Sequence, residues 1–152
     1  MDNSNAVVRP PLVLALAIVV GLGLNWIYPL PFVPASVPGT WIGGVVFAAA
    51  FALVIWAITT IRRAGTAVET VKPTTAIVSS GPFGFTRNPI YLGMLLGLVG
   101  IAIAFNTLWI IVTLIAFYFV LRYGVVAREE AYLEGKFGRG YLDYKDRVRR
   151  WV

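Results

Sequence analysis

The sequence contains no cysteine and no histidine. Without cysteine, disulfides, thiol nucleophiles and thiolate metal sites are excluded. Without histidine, the chain lacks both the commonest general base and the commonest transition-metal ligand. We therefore predict no metal site. Any chemistry must use carboxylates, arginine, lysine, tyrosine, amides or backbone groups, or must belong to a cofactor.

Acidic residues are also scarce, with 7 Asp and Glu against 13 Lys and Arg and a net charge of +6. Hydrophobic residues make up 59% of the 152 residues, and the mean hydropathy is +0.79. Soluble domains rarely reach such values, because their surfaces must be polar. The composition predicts one membrane domain over residues 1–152. The basic excess then indicates contact with anionic membrane lipids, and we expect no nucleic-acid partner.

Four apolar segments are candidate membrane spans, at about residues 11–28, 41–61, 90–105 and 107–126. A spanning helix needs about 20 residues. The last two segments form one run, interrupted only by Asn106-Thr107 and Arg122, which predicts a helical hairpin that turns near residues 105–107. A signal peptide is a weaker interpretation of the first segment, which lacks a small-residue cleavage pattern and is followed by prolines.

The basic residues predict the orientation of these spans. All 13 lie before the first segment, between the second and third, or at and beyond the end of the fourth, whereas the loops at 29–40 and near 106 have none. Four spans therefore place every basic residue on one side, which the positive-inside rule makes cytoplasmic. We expect a multi-pass membrane protein with both termini in the cytoplasm.

The tail, residues 127–152, has the period of an amphipathic helix. Leu133, Phe137, Tyr141, Tyr144 and Val148 recur at spacings of three and four, with basic residues on the other faces. Two glycines, at positions 138 and 140, are expected to break it into two pieces. It would either rest on the membrane surface or fold back as a lid over the helix ends. The expected fold class is thus an all-α integral membrane protein with about four spans, a cytoplasmic loop and a helical tail.

Polar residues cluster at the mouth of the third span, in the stretch GPFGFTRNPIYLG at residues 81–93. Asn88 as a cap with Pro89 in the first turn is a favourable helix start. Capping does not account for Arg87 or Tyr91, which a loop that faces a ligand would use.

A second polar feature is the adjacent pair Glu129-Glu130, just past the fourth span. Neighbouring side chains on a helix point about 100° apart, so we do not expect a paired acid and base. The pair is either a solvated helix start, or one carboxylate faces inward to hold a cationic or hydroxyl-bearing ligand.

These features together resemble the superfamily of isoprenylcysteine carboxyl methyltransferases and phospholipid methyltransferases. The resemblance covers roughly residues 60–151, through RNPxYxG and EExxLxxxFGxxYxxYxxxV, which occur in this order and are separated by the two spans of the hairpin. It implies a membrane methyltransferase that uses S-adenosyl-L-methionine and a lipophilic acceptor, with its active site at the cytoplasmic membrane boundary.

The resemblance also implies a donor site. By position it comprises Thr75, Ala76, Ile77, Val78, Phe83, Asn88, Pro89, Tyr91, Glu129 and Glu130. Carboxylates and aromatic faces attract the sulfonium and ammonium of the donor. Its carboxylate suits a guanidinium, which adds Arg87 to the cofactor-binding set.

The acceptor stays open between prenylated cysteine, phosphatidylethanolamine, a free isoprenoid acid and a small hydrophobic thiol. Members that act on prenylated cysteine carry an arginine one turn before the acidic pair, where this chain has Val125. Arg122, nearly two turns earlier, is the substitute we expect to bind substrate. The glycine face formed by Gly93, Gly97 and Gly100 marks either close helix packing or a lateral entrance for the acceptor.

Two other functions compete with methyl transfer. A sterol-reductase-like nicotinamide enzyme shares a similar tail pattern, but the short chain and the RNPxYxG match argue against it. A small transporter or structural subunit is the other alternative. Transporters usually carry an ionisable residue in mid-span, and none of the four segments has one in its interior.

Overall fold

The computed structural model describes residues 8–68 and 73–152. Within them the chain is helical and contains no strand, which confirms the predicted all-α class. The helices are α1 (Pro10–Ile27), α2 (Gly39–Arg63), α3 (Pro89–Ala104), α4 (Leu108–Leu121), α5 (Ala127–Phe137) and α6 (Arg139–Arg147). A 3₁₀ turn at Gly81–Gly84 precedes α3, and a π-helical turn at Arg122–Val126 joins α4 to α5.

Helices α1, α2 and α3 match the predicted segments to within two residues at each end. Helix α4 ends at Leu121, five residues before the predicted end of the fourth segment, and the π-helical turn covers those five residues. Within residues 8–68 and 73–152, three helical stretches are long and apolar enough to cross a membrane, namely α1, α2 and the continuous stretch Leu108–Phe137. The shorter apolar helix, α3, has 16 residues. At a rise of 1.5 Å per residue it extends about 24 Å, slightly less than the hydrocarbon core.

Helix α3 packs closely against α2 through its glycines. A Cβ atom at Gly100 would lie 2.7 Å from the backbone nitrogen of Phe47 and 2.9 Å from the carbonyl oxygen of Gly43. One at Gly93 would lie 3.0 Å from the carbonyl oxygen of Ala50. Small residues let two helix backbones approach in this way. The glycine face is therefore a packing surface, and its interpretation as an acceptor entrance is wrong.

The predicted hairpin turn lies between α3 and α4, at Asn106, whose φ is +48°. The side-chain oxygen of Asn106 accepts hydrogen bonds from the backbone nitrogens of Phe32 and Val33, at 2.8 and 2.7 Å. The Trp109 indole donates to the carbonyl of Tyr28 at 2.7 Å. These bonds join the loop between α1 and α2 to the hairpin turn, so the two loops without basic residues lie at one end of the helices. The other end, called here the tail end, carries the starts of α1 and α3 together with α5 and α6.

The tail forms two helices that fold onto the protein. The expected break into two pieces is confirmed: Gly138 separates α5 from α6 with a φ of +53°. Gly140 lies inside α6 and takes no part in the break. Three apolar side chains of the tail, Tyr141, Tyr144 and Val148, pack together with Ile77 of the preceding loop and with Leu133 and Phe137 of α5. The apolar side of the tail is thus covered by the chain itself. This arrangement favours the lid interpretation over a helix that rests on the membrane.

Candidate active site

A cavity of about 140 Å³ lies at the tail end, where α3 begins. Residues 66–68 and 74–78, the 3₁₀ turn, the start of α3, and helices α5 and α6 surround it. It brings together ten of the eleven residues that the sequence assigned to the donor: Ala76, Ile77, Val78, Phe83, Arg87, Asn88, Pro89, Tyr91, Glu129 and Glu130. These residues are separated by up to 54 positions in the sequence (130 − 76 = 54), and folding places them around one space.

Two candidate residues lie outside the cavity lining. Thr75 is exposed, its backbone nitrogen donates to the hydroxyl of Thr66 at 2.9 Å, and its own hydroxyl donates to the carbonyl of Gly65 at 3.2 Å. Arg122 lies in the π-helical turn with its guanidinium carbon 5.4 Å from the centre of the Tyr123 ring. The structure therefore gives Arg122 no contact with this cavity.

The two adjacent carboxylates have different surroundings. The π-helical turn before α5 contains one residue more than the corresponding α-helical turn, and this rotates the residues that follow. Glu129 then faces α3, where its carboxylate accepts a hydrogen bond of 2.7 Å from the Tyr91 hydroxyl. Glu129 makes no ion pair with any residue in the described ranges. A cationic ligand in the cavity would therefore be the counterion that this carboxylate lacks among the described residues, and it would favour the ionised form.

Glu130 is held between two arginines. Arg150 donates to both carboxylate oxygens of Glu130, from Nε to Oε1 at 2.8 Å and from Nη2 to Oε2. The Nη2 atom of Arg87 lies 3.4 Å from Oε1 of Glu130. The Glu130 and Arg87 side chains are only 9% and 8% exposed. The hydrogen bond to Glu130 raises the pKa of Arg150 above its ordinary value. The charge of Glu130 is thus neutralised within the protein, which gives this carboxylate a structural role.

Arg87 has unmet hydrogen-bonding capacity. Its Nε and Nη1 atoms are buried and have no hydrogen-bond partner among the described residues. A buried donor without a partner costs about 1–3 kcal/mol, and more when it is charged. Buried polar groups are nearly always paired, so an exception calls for a specific explanation. A ligand with anionic oxygens in the cavity would provide the missing acceptors.

Residues 148–151, called here the C-terminal strap, close one side of the site. The backbone nitrogen of Arg87 donates to the carbonyl of Arg149 at 2.9 Å, and the side-chain amide of Asn88 donates to the carbonyl of Arg150 at 3.0 Å. Asn88 occupies the N-cap position of α3, but its side chain makes no capping bond, so the expected cap is wrong. Its amide instead fixes the strap beside Arg87. The Trp151 ring, 5.7 Å from the ring of Tyr118, attaches the strap to α4.

The tyrosines of α6 complete the wall opposite α3. The Tyr144 hydroxyl donates to the carbonyl of Phe83 at 2.8 Å, which joins α6 to the 3₁₀ turn. Burial raises the pKa of Tyr141 to about 12 and raises that of Tyr144 further. Both hydroxyls therefore stay protonated at neutral pH, and the cavity gains aromatic surface with no added charge.

A comparison with known families agrees with this arrangement. The model of the phospholipid methyltransferase family matches residues 38–140. The chain belongs to this family. The family lies within the superfamily that the two motifs predicted, which confirms the resemblance. An uncharacterized protein of Haemophilus influenzae is 45% identical over 63 residues, which is 41% of this chain and 100% of that protein. Membership of the family, together with the apolar helices, makes the chain a multi-pass membrane protein related to methyltransferases.

The family match includes the acidic pair and the start of α3, but it ends before the strap and does not include α1. Sequence reasoning missed Arg150, because its charge looks like that of the other basic residues in the tail. It also missed Tyr132, Thr74 and the stretch 66–68, which line the cavity. No recognisable pattern marks these residues: Thr74 and the stretch 66–68 reach the cavity by the path of the loop, and Tyr132 reaches it from α5.

Proposed function

We propose that the protein is an enzyme that transfers a methyl group from S-adenosyl-L-methionine to a lipophilic acceptor at the cytoplasmic membrane boundary. One observation carries the proposal. Two groups line a single cavity. The buried guanidinium of Arg87 has two nitrogens without a hydrogen-bond partner among the described residues, and the carboxylate of Glu129 has no ion pair among them. This pairing suits a ligand that carries both signs of charge.

The donor has the required charges. Its carboxylate would accept a hydrogen bond from Nε or from Nη1 of Arg87, which point to different sides of the guanidinium, and such a bond would be charge-assisted. Its ammonium and sulfonium groups would be attracted by Glu129 and by the aromatic faces of the wall. When bound, the donor supplies a methyl group that the sulfonium already activates. The residues of this chain would hold it in line with the acceptor and exclude water, and positioning alone contributes much of the rate in such displacements.

The apolar part of the cavity suits the adenosine moiety. Ala76, Ile77 and Val78 form one wall of the cavity, and Phe83 adds an aromatic face to it. Pro89 lies at the start of α3, next to Asn88. In this proposal Thr75 acts through its bonds to Thr66 and Gly65, which stabilise the loop, and it does not contact the donor.

The size of the cavity implies movement. Its volume is about 140 Å³, whereas pockets for drug-sized ligands commonly enclose about 300–1,000 Å³. Entry of a nucleoside therefore requires the loop at 73–80 or the strap and α6 to move outward. The tail lies over the site, and such movements accompany ligand entry in many enzymes.

The first test is donor binding by the purified protein in a neutral detergent. We expect isothermal titration calorimetry to detect binding of S-adenosyl-L-methionine, and no comparable heat with a nicotinamide dinucleotide. Binding of the nicotinamide cofactor alone would support the reductase alternative and contradict the proposal. Membranes that contain the protein, supplied with methyl-labelled donor, should transfer label into the organic extract. Transfer into water-soluble products alone would contradict a lipophilic acceptor.

The orientation has a separate test. We expect tags at either terminus to be protected from an external, membrane-impermeant reagent, because the basic residues of the tail end favour the cytoplasm. A tag inserted near residue 35 should react with it. If the reagent reached the C-terminal tag in intact cells, the donor site would face away from the cytoplasm and the proposed orientation would be contradicted.

A further inference from the structure

A second cavity lies beside the candidate active site and has no role in the donor site described above. It encloses about 530 Å³ between the start of α1, the second half of α2 and the start of α3. Three residues, Val68, Ile90 and Tyr91, line both cavities. A molecule in the second cavity would therefore be separated from the donor site by little more than these side chains.

The lining of the second cavity is apolar except at two points. Its walls include Leu12, Val54, Ile58 and Met94, from all three helices. One polar group is the Tyr91 hydroxyl, which already donates a hydrogen bond to Glu129. The other polar group is the guanidinium of Arg9, which is exposed at the start of α1. Among the described residues, this lining contains one positive charge and no carboxylate.

We infer that this cavity binds the methyl acceptor, and that the acceptor is a lipophilic carboxylic acid whose carboxylate pairs with Arg9. The inference rests on the proposed function, which it extends by a substrate class and a specificity residue. The apolar walls suit a hydrocarbon chain that arrives from the bilayer. Arginine pairs with carboxylates through two parallel hydrogen bonds, which would set the direction in which the acid binds.

An amine acceptor fits this cavity less well. A protonated amine would meet Arg9, which carries the same sign of charge, and no acidic residue of the described lining would hold it. It must also lose a proton before it attacks, and the chain has no histidine to accept one. A carboxylate needs no base. Its oxygen forms a bond to the methyl carbon while the carbon–sulfur bond breaks and its electron pair goes to sulfur, so a methyl ester and a neutral thioether result without proton transfer.

Binding of the acceptor is measured without the donor. Three probes share one sixteen-carbon chain and end in a carboxylate, an alcohol or an amine, and each displaces a fluorescent lipid from the protein in neutral detergent at low ionic strength. Arg9 is exposed, so an ion pair with it is partly screened. We expect the acid to bind about five- to tenfold more tightly than the alcohol. Arg9→Gln should remove this difference, and Arg9→Lys should retain part of it.

Two control variants test whether the preference comes from Arg9 and from this cavity. Arg63→Gln removes another exposed basic residue at the end of α2 that lines neither cavity, and it should leave the preference unchanged. Ile58→Trp fills the second cavity and should weaken the binding of all three probes. Donor binding, measured by calorimetry, should persist in every variant. Equal binding of acid and alcohol by the wild type, tightest binding of the amine, or an unchanged preference in Arg9→Gln would each overturn the inference. Loss of donor binding by the wild type itself would contradict the proposed function instead.

Discussion

Replacing Glu129 by glutamine, Glu129→Gln, keeps the shape of the side chain and removes its capacity to carry a negative charge in the candidate active site. In the wild type this carboxylate accepts a 2.7 Å hydrogen bond from Tyr91 and makes no ion pair within the described ranges. The amide oxygen of glutamine can accept the same hydrogen bond. The change therefore isolates the charge that the carboxylate offers to a ligand.

The expected loss follows from the interaction that is removed. A hydrogen bond to a charged group contributes about 1.5–3 kcal/mol, which corresponds to about a ten- to hundredfold decrease in donor affinity. The stability of the protein should change by about 1 kcal/mol or less, because a neutral hydrogen bond to Tyr91 replaces a charged one. A large loss of affinity with little loss of stability is the signature of a residue that contacts the ligand.

The assay is calorimetric titration of the detergent-purified variant with S-adenosyl-L-methionine and with S-adenosylhomocysteine, which lacks the sulfonium charge. If Glu129 faces the sulfonium, the affinity for the methionine compound falls more. If it faces the ammonium, both affinities fall alike. Glu134→Gln is the matched control, since Glu134 pairs with Lys145 on the half-exposed side of α5 and does not line the cavity. Wild-type affinity of Glu129→Gln for both compounds would refute the assignment.

Three further predictions concern the surroundings of the site. Glu130→Ala leaves the buried Arg87 without its anionic partner, so we expect a loss of about 3–5 kcal/mol in the free energy of unfolding; a variant as stable as the wild type in thermal unfolding would contradict the structural role. Truncation after Gly138 removes α6 and the strap, and it should abolish donor binding while membrane insertion persists. A truncated protein that inserted and kept full activity would show that the tail is only an anchor. Gly100→Val introduces a side chain whose Cβ would lie 2.7 Å from the backbone nitrogen of Phe47 in α2, and it should lower the free energy of unfolding by about 1–3 kcal/mol. Unchanged thermal stability in detergent would exclude the tight packing of α2 on α3.

The two adjacent glutamates are distinguished by tertiary contacts alone. Both follow the fourth apolar segment, and nothing in the local sequence separates them. Their roles depend on distant partners, because Tyr91 lies 38 positions before Glu129 and Arg150 lies 20 positions after Glu130. For the same reason Arg122 was a reasonable candidate from its position, yet its side chain lies over Tyr123 and outside the cavity. Which way a side chain faces after a π-helical turn depends on that turn, and the sequence does not show where it occurs.

Features that depend on local composition could be predicted from the sequence. Hydropathy located the four apolar helices, since burial in a bilayer requires an uninterrupted apolar run. Asn106 and Gly138 marked the hairpin turn and the break in the tail, because their backbones adopt positive φ values that asparagine and glycine tolerate. Two spaced motifs indicated the methyltransferase family. The position of the strap against Arg87, the neutralisation of Glu130 but not Glu129, and the second cavity that reaches Arg9 became visible only in the folded chain, because they arise from contacts between residues far apart in the sequence.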